Sequence, residues 1–473
     1  MFTLSCWKNI GVCLLLLAIS SSAQTFTTLH TFDVTDGAFP FGTLVQGLDG
    51  NFYGTTAQGN GRNQCALGCG TVFKITPEGT LTTLHNFDKT DGAYPVAGLV
   101  LGTDGNFYGS TFGDDSPQST SEPLPSFIFQ ITPDGTLTNL PQTAHVASPS
   151  ALMQNVMNGT FYGTAGRFVF SATADGESFI RTFCGQPSCG GTAHGYNLLA
   201  PLIQGTDLFM YGTTEAGGEA SIGSPGGTVF KIGTGGVVTT VHTFQDSEGV
   251  GPVGALAEGS DGNFYGTTSG GGEDGGGTVF EMSPSGEVTT LCQFASSTDS
   301  FHPVAGVIQG TDGNFYGTTE FGGAFVSSGN TSGYGTVFQV TAAGTLTTLH
   351  SFDVTDGVYP QAGLVQGTDG NLYGVTTGTD ATHAWGTVFK ISMGLAPFVK
   401  TVPVAAYPGK QIFILGTNLT GATSVTFGGT SAAFTVVSAT EITATVPKGA
   451  AAGTVQVVTP SGTLSSNVPF RVF

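Results

Sequence analysis

Asp49-Gly50-Asn51-Phe52-Tyr53-Gly54-Thr55-Thr56 is a phrase that recurs along most of the chain. Its tyrosine returns as Tyr108, Tyr162, Tyr211, Tyr265, Tyr316 and Tyr373, at spacings of 55, 54, 49, 54, 51 and 57 residues. A period of this size marks an array of small supersecondary units, none of which can bury its apolar face alone. Within the last unit, Ala362–Gly367 alternates as a strand, Thr368-Asp369-Gly370-Asn371 is a tight-turn signal, and Leu372–Thr377 returns as a second strand. A variable Gly-rich loop leads to a third strand, Gly386–Ile391. The fourth is seen in Gly79–Phe87, entered through the Pro77-Glu78-Gly79 turn. Four short antiparallel strands per period predict a β-propeller blade, and no window carries helical periodicity.

The ends of the array sharpen this expectation. Third-strand phrases occur seven times, and the last is followed by Ser392-Met393-Gly394 with no fourth strand. Yet an orphan fourth strand, Thr25–Phe32, stands near the start. It can complete the last blade and remove the exposed sheet edges of an open array. The fold class expected is therefore all-β: a seven-bladed β-propeller over residues 24–394, closed by an N-terminal strand. After Gly394 the repeat stops, and short strands over residues 395–473 (Gln411–Leu415, Ser424–Phe427, Glu441–Val446, Gly453–Val458 and Pro469–Phe473) predict a small immunoglobulin-like β-sandwich.

Composition narrows the function classes. Residues 1–23 read as a secretory signal peptide, with Lys8 before the apolar Cys13–Ile19 and the small Ser21-Ser22-Ala23 before the cut. The apolar run is too short to span a bilayer, so no membrane insertion is expected after its removal. Losing Lys8 takes the formal net charge from −20 to −21. Such a surface repels phosphate backbones and excludes nucleic acid as a partner. Cations or uncharged glycans fit better. Of the five cysteines beyond the signal, Cys65–Cys69 and Cys184–Cys189 are expected to form local loop disulfides, and Cys292 to be a buried free thiol.

At Gly363–Thr377 (GLVQGTDGNLYGVTT), Gly386–Ile391 and Gly344–Phe352 (GTLTTLHSF), the residues resemble the GloVer tandem repeat of exported bacterial proteins. The order of elements also resembles NHL-type blades. Gly409–Leu419 (GKQIFILGTNL), Ala422–Phe427 and Glu441–Pro447 resemble an IPT/TIG immunoglobulin-like domain. These resemblances imply a secreted or envelope location and a tail acting as spacer or binding module. They supply no catalytic residues to carry over.

In a propeller, the loops from fourth to first strand share a face with those between second and third strands, and loops carry function while strands hold the scaffold. Three entry loops are alike: Asp33 to Asp36 with Phe39, Asp88 to Asp91 with Tyr94, and Asp353 to Asp356 with Tyr359. They predict an acidic, aromatic arc across neighbouring blades. Repeated Asp residues serve turns, each bonding its own backbone. The same oxygens at Asp33, Asp36, Asp88, Asp91, Asp353 and Asp356 suit calcium, the one cofactor the sequence admits, although the spacing is not that of an EF-hand. A sugar platform would use Asp36, Asp91 and Asp356 with Tyr94, Tyr359 and Trp385.

Histidines divide into two groups. His30, His85, His242 and His350 stand two residues before a Phe in the fourth strand and read as structural. His145, His194, His302 and His383 lie in loops of the functional face and are the residues an acid–base role would use. No Gly-x-Ser-x-Gly elbow, Walker loop or His-Glu-x-x-His motif occurs. The sequence thus points to an exported, non-enzymatic recognition or scaffold protein for glycan or extracellular protein. The alternative is an extracellular polysaccharide lyase or hydrolase using the loop His and Asp residues.

Overall fold

The computed structural model describes residues 24–473 apart from 61–64, 66, 113–125, 142–149, 174, 184–193, 219–225, 296–299, 327–331 and 379–384. Cys184, Cys189, His145, His383 and the signal segment lie outside the described residues. Among those described, the repeat forms seven four-stranded antiparallel sheets, and no helix occurs. Blade 1 runs Val45–Gln46, Phe52–Thr56, Thr71–Ile75 and Leu81–Asn86, in sequence order across the sheet. The exception to that order is the last blade. Its outer strand is Thr25–Thr31, antiparallel to Thr387–Ser392, with Thr25 opposite Ser392 and Thr31 opposite Thr387. The orphan strand does what its sequence predicts.

First strands are shorter than expected, two residues in every blade. The carbonyls just before them leave the ladder and accept side-chain hydroxyls of the preceding blade instead: Thr55 donates to Ala97 and Thr318 to Ala362. Chemistry that looks local in sequence thus joins neighbouring blades.

The repeated phrase is a hydrogen-bonded clasp. Asp49 Oδ2 accepts from Tyr53 OH at 2.8 Å and from Asn51 Nδ2 at 2.7 Å, while Oδ1 accepts from the Asn51 backbone N–H. The Asp–Tyr bond recurs at Tyr108, Tyr211, Tyr265, Tyr316 and Tyr373. Gly47 must be small, because a Cβ there would lie 2.6 Å from the Tyr53 ring. Gly54 likewise leaves room for the Phe73 ring of the facing strand, 2.6 Å from where its Cβ would stand.

Blades adhere through three layers. Tyr–Phe stacks join successive sheets, such as Tyr53 on Phe107 and Tyr265 on Phe315, and Tyr373 on Phe52 joins the last blade to the first. Burying such rings contributes the bulk of the cohesion, about 1.5–3 kcal/mol for each large side chain. At the hairpin end, a first-strand Gln accepts a backbone N–H from the previous blade's turn: Gln46 from Thr368, Gln154 from Thr103, Gln204 from Val156, Gln309 from Ser260 and Gln366 from Thr311. The third layer, at the loop end, frames the functional face described below.

Residues 398–472 form a sandwich of two four-stranded sheets. Gln411–Leu415 and Glu441–Thr445 lie at the centre of one, Ser424–Phe427 and Val455–Thr459 at the centre of the other. Ile412, Ile414, Val425, Phe427, Ile442, Val455 and Val457 fill its core. The sandwich does not stand off as a spacer. It sits on the hairpin end of the ring, where Thr440 Oγ1 donates to Leu48 O (blade 1) and Thr417 bonds Thr368 (blade 7). Arg471 donates to Gly205 O of blade 4, on the far side of the ring. The buried Lys400 ammonium donates to Gln366 O, and burial pulls its pKa down to about 8 against the pull of Asp369.

Candidate functional site

On the opposite, loop-bearing face, an equivalent position in six described entry loops takes a left-handed conformation: Phe39 (φ 58°), Tyr94 (53°), Asn197 (64°), Gly251 (67°), His302 (61°) and Tyr359 (57°). Non-glycine residues persist there only when their surroundings hold them. The holding is a two-sided stitch between blades. Tyr359 N–H donates to Tyr334 O of the preceding blade, and Tyr359 O accepts from Thr377 N–H of its own. Phe39 (to Trp385 O, from Ala57), Tyr94 (to Cys69 O, from Phe112) and His302 (to Gly276 O, from Glu320) repeat it. Aromatic and imidazole side chains are thereby set around the loop face.

The acidic loops prove self-contained. Asp36 Oδ2 lies 2.7 Å from His30 Nε2, and its Oδ1 accepts from the Asp33 N–H. His85 with Asp91, His350 with Asp356 and His242 with Glu248 repeat the pair at 2.8, 2.8 and 3.1 Å. Asp33 Oδ1 accepts both the hydroxyl and the N–H of Thr35, and Asp88 and Asp353 do the same with Thr90 and Thr355. These threonine hydroxyls, foremost, hold the three carboxyls below their ordinary values. Each carboxylate thus serves its own loop. Among the described residues no three His, Cys, Asp or Glu side chains gather in a metal-ready group.

Each structural histidine also meets its Phe edge to face, as at His30–Phe32 with 5.1 Å between centroids. A β-bulge between third and fourth strands, at Val72/Phe73 in blade 1, precedes the histidine and aims it at the loop acid. In blade 3 the pair is rewritten, with Arg181 in the histidine's register opposite Val169 and His194 in the acid's loop position. His194 bonds Thr240, and burial followed by the Arg181 charge lowers its pKa. Cys292 takes the same register in blade 5; it is a free thiol but half-buried, and burial raises its pKa to about 12. Cys65 and Cys69 form the disulfide expected, and Tyr94 packs against their cluster. Trp385 packs edge-on to Phe39 at 5.5 Å, within the core shared by blades 7 and 1.

One sector of the face differs. His302 Nδ1 lies 2.7 Å from Glu320 Oε2, and Gln361 Nε2 donates to Glu320 Oε1 at 2.5 Å. Glu320 is only 14% exposed on its side chain, whereas His302 is 41% exposed. The carboxylate thereby fixes the orientation of the His302 ring through Nδ1. Around the triad stand Phe301 and Phe321 (5.5 Å), His302 and Phe321 (5.5 Å), Phe321 and Tyr359 (5.8 Å), and Tyr334 and Tyr359 (6.2 Å). Burial, then the neighbouring Tyr334 and Glu320, raises the Tyr359 pKa. Phe325, four residues beyond Phe321, is 47% exposed.

His302 and Tyr359, singled out in sequence, are thus brought together, while Tyr94 and Trp385 stand in other sectors. Glu320, Phe321, Tyr334 and Gln361 escape sequence reading. The available signal is Glu320-Phe321 after Thr319, where blade 1 carries Ala57-Gln58.

Residues 15–167 and 116–327 match the Gloeobacter/Verrucomicrobia repeat, and residues 398–472 match the IPT/TIG domain. No curated protein matches the chain. Among solved structures, a streptogramin B lyase is similar at 14% identity and TM-score 0.52, over 78% of this chain and 97% of that one. A virginiamycin B lyase from Staphylococcus aureus with quinupristin is similar at 17% identity and TM-score 0.51, over 78% of this chain and 99% of that one. At such identities the likeness is one of fold. The family match spans more than half of the sequence and names the same repeat that builds the ring, so the chain belongs to the Gloeobacter/Verrucomicrobia repeat family.

Proposed function

We propose that the protein is exported and acts as a non-enzymatic recognition module that holds a glycan against the loop face at blades 6 and 7. The observation that carries this reading is the gathering of Phe321, Tyr334 and Tyr359 around the His302–Glu320–Gln361 triad. Aromatic faces pack on the C–H faces of a sugar, and a few fixed polar groups orient it. Docking of the sandwich on the other end leaves this face uncovered. Export rests on the leader read in residues 1–23.

A glycan array on the purified protein tests the reading, with Phe321→Ala and Glu320→Gln alongside. Binding to defined glycans that both variants lose is the expected result. No glycan bound, or binding untouched by Phe321→Ala, would remove the site.

A second reading, an extracellular lyase or hydrolase, draws on one feature: a carboxylate-oriented imidazole is the usual form of a general base. New reducing ends or unsaturated products from a polysaccharide panel, abolished in His302→Gln, would replace recognition by catalysis. We expect none.

A further inference from the structure

The seam between blades 2 and 3 breaks the repeat in three places. The hairpin turn of blade 3, residues 155–160, holds one residue more than the Gly47–Asn51 turn of blade 1. At the end of the third strand, six blades carry Ile75, Ile131, Ile232, Met282, Val340 or Ile391, whereas blade 3 carries Ala172. Opposite it stands Glu177, where other blades have residues such as Leu81 and Leu346. In the seam between blades 6 and 7, Ile391 packs against Tyr316 and Leu349. The corresponding Ala172 cannot fill the space beside Tyr108 and Leu140. A hollow of about 350 Å³ results, on the hairpin end of the ring. It also uncovers Tyr108: its six counterparts are at most 4% exposed, and it alone is half-buried.

The walls of this hollow have a definite chemistry. Asp104 Oδ2 already accepts from Asn106 Nδ2, Tyr108 OH and Gln130 Nε2, so its acceptor capacity is largely taken up within the protein. Although burial pushes the other way, the bonds from Asn106 and Tyr108 hold that carboxyl below its ordinary value. Gln130 Oε1, Asn158 Nδ2 and the hydroxyls of Thr103 and Thr160 line the space with no protein partner among the described residues. Leu140, Phe161 and Ala172 give an apolar wall. Among the described residues no Lys or Arg lines it, which disfavours an anion, and one carboxylate is too few for a divalent cation. Mixed donors and acceptors over an apolar wall, at the small end of ligand pockets, match one ring of a neutral sugar.

We infer that this hollow is a second binding site, separate from the loop face, for a single uncharged sugar ring.

Saturation-transfer NMR on the purified protein tests it, with glucose, galactose, mannose, xylose and N-acetylglucosamine as probes and glucosamine and glucuronic acid as charged counterparts. Transfer to at least one uncharged sugar is expected. Ala172→Ile, which restores the residue of the repeat, and Gln130→Leu should each weaken it by about tenfold or more. Phe321→Ala should leave it intact, so failure here and failure of the loop-face site are distinguishable. Melting of each variant reports its folding, and Gln130→Leu carries the test if Ala172→Ile melts early. Methyl glycosides bound equally well would assign a residue within a glycan, and their rejection a free sugar; either supports the site. Transfer to no uncharged sugar, a preference for a charged one, or undiminished binding in a folded Ala172→Ile would overturn it.

Discussion

Glu177 gives the sharpest physical prediction. It is 6% exposed, stands where the other blades carry Leu, Val or Phe, and burial pushes its carboxyl up to about 7. Below about pH 4.5 the group is protonated in both folded and unfolded chains, and pH changes nothing. Between about 4.5 and about 7 the unfolded chain releases its proton first, so stability falls as pH rises. Above about pH 7 both states are ionised and the loss is complete. A shift from 4.5 to about 7, at about 1.36 kcal/mol per unit, sets a ceiling of about 3 kcal/mol. Relaxation and water penetration trim this to about 2 kcal/mol.

Glu177→Gln keeps the shape and removes the titration. Urea unfolding of both proteins should give equal midpoints near about pH 4 and a variant more stable by about 2 kcal/mol near about pH 8. A gap that stays constant across the range, or opens toward acid instead, refutes burial as the cause. Other titrating groups cancel in the difference, which is why the comparison is made between proteins and not within one profile.

Three further outcomes follow from the same geometry. Deleting Gln24–Asp33 removes the outer strand of the last blade, and calorimetry should show a lower melting point and a broader, less cooperative transition. Asp91→Ala leaves both His85 Nε2 and the Asp88 N–H without their acceptor; about 1–3 kcal/mol should be lost in denaturant unfolding, and a neutral result would demote the repeated His–acid pair to decoration. Millimolar calcium should leave the melting point unmoved, because the six loop aspartates are satisfied by Thr, His and backbone donors; a rise abolished by Asp36→Asn would restore the metal reading.

The scaffold was legible because the sequence states it seven times. Alternation, the Asp-Gly-Asn turns and the displaced Thr25–Thr31 strand each report local preference, and local preference repeated in phase defines a ring. Partnerships were not legible. The span from His30 to Asp36 is six residues, but nothing in their spacing says that a bulge turns one toward the other. The loop aspartates carry the right oxygens for a cation, and only the structure shows those oxygens already bonded. Glu320 and His302 are separated by a hairpin, so their pairing is a property of the folded sheet. Trp385 stands among loop residues in the sequence, and only the fold shows that the adjacent blade supplies Phe39 to pack against it.

Repetition also locates what the repeat alone does not require. A ring needs Gly54, Tyr53, Phe73 and their counterparts, and apart from Tyr108 these are buried positions. It has no need for Ala172, Glu177 or Glu320, and the Asp–Tyr clasps close without them. Ala172, with Glu177 opposite it, marks the hollowed seam on the hairpin end, and Glu320 anchors an aromatic cluster on the loop end. The contacts of the sandwich fall on Leu48, Gln366, Thr368 and Gly205, and no sandwich residue lines the hollow. Docking the tail therefore leaves both proposed sites open, and they face in opposite directions. A protein so built would bridge two glycan surfaces instead of gripping one, and Ala172→Ile and Phe321→Ala should each abolish the bridging while removing only one of the two contacts.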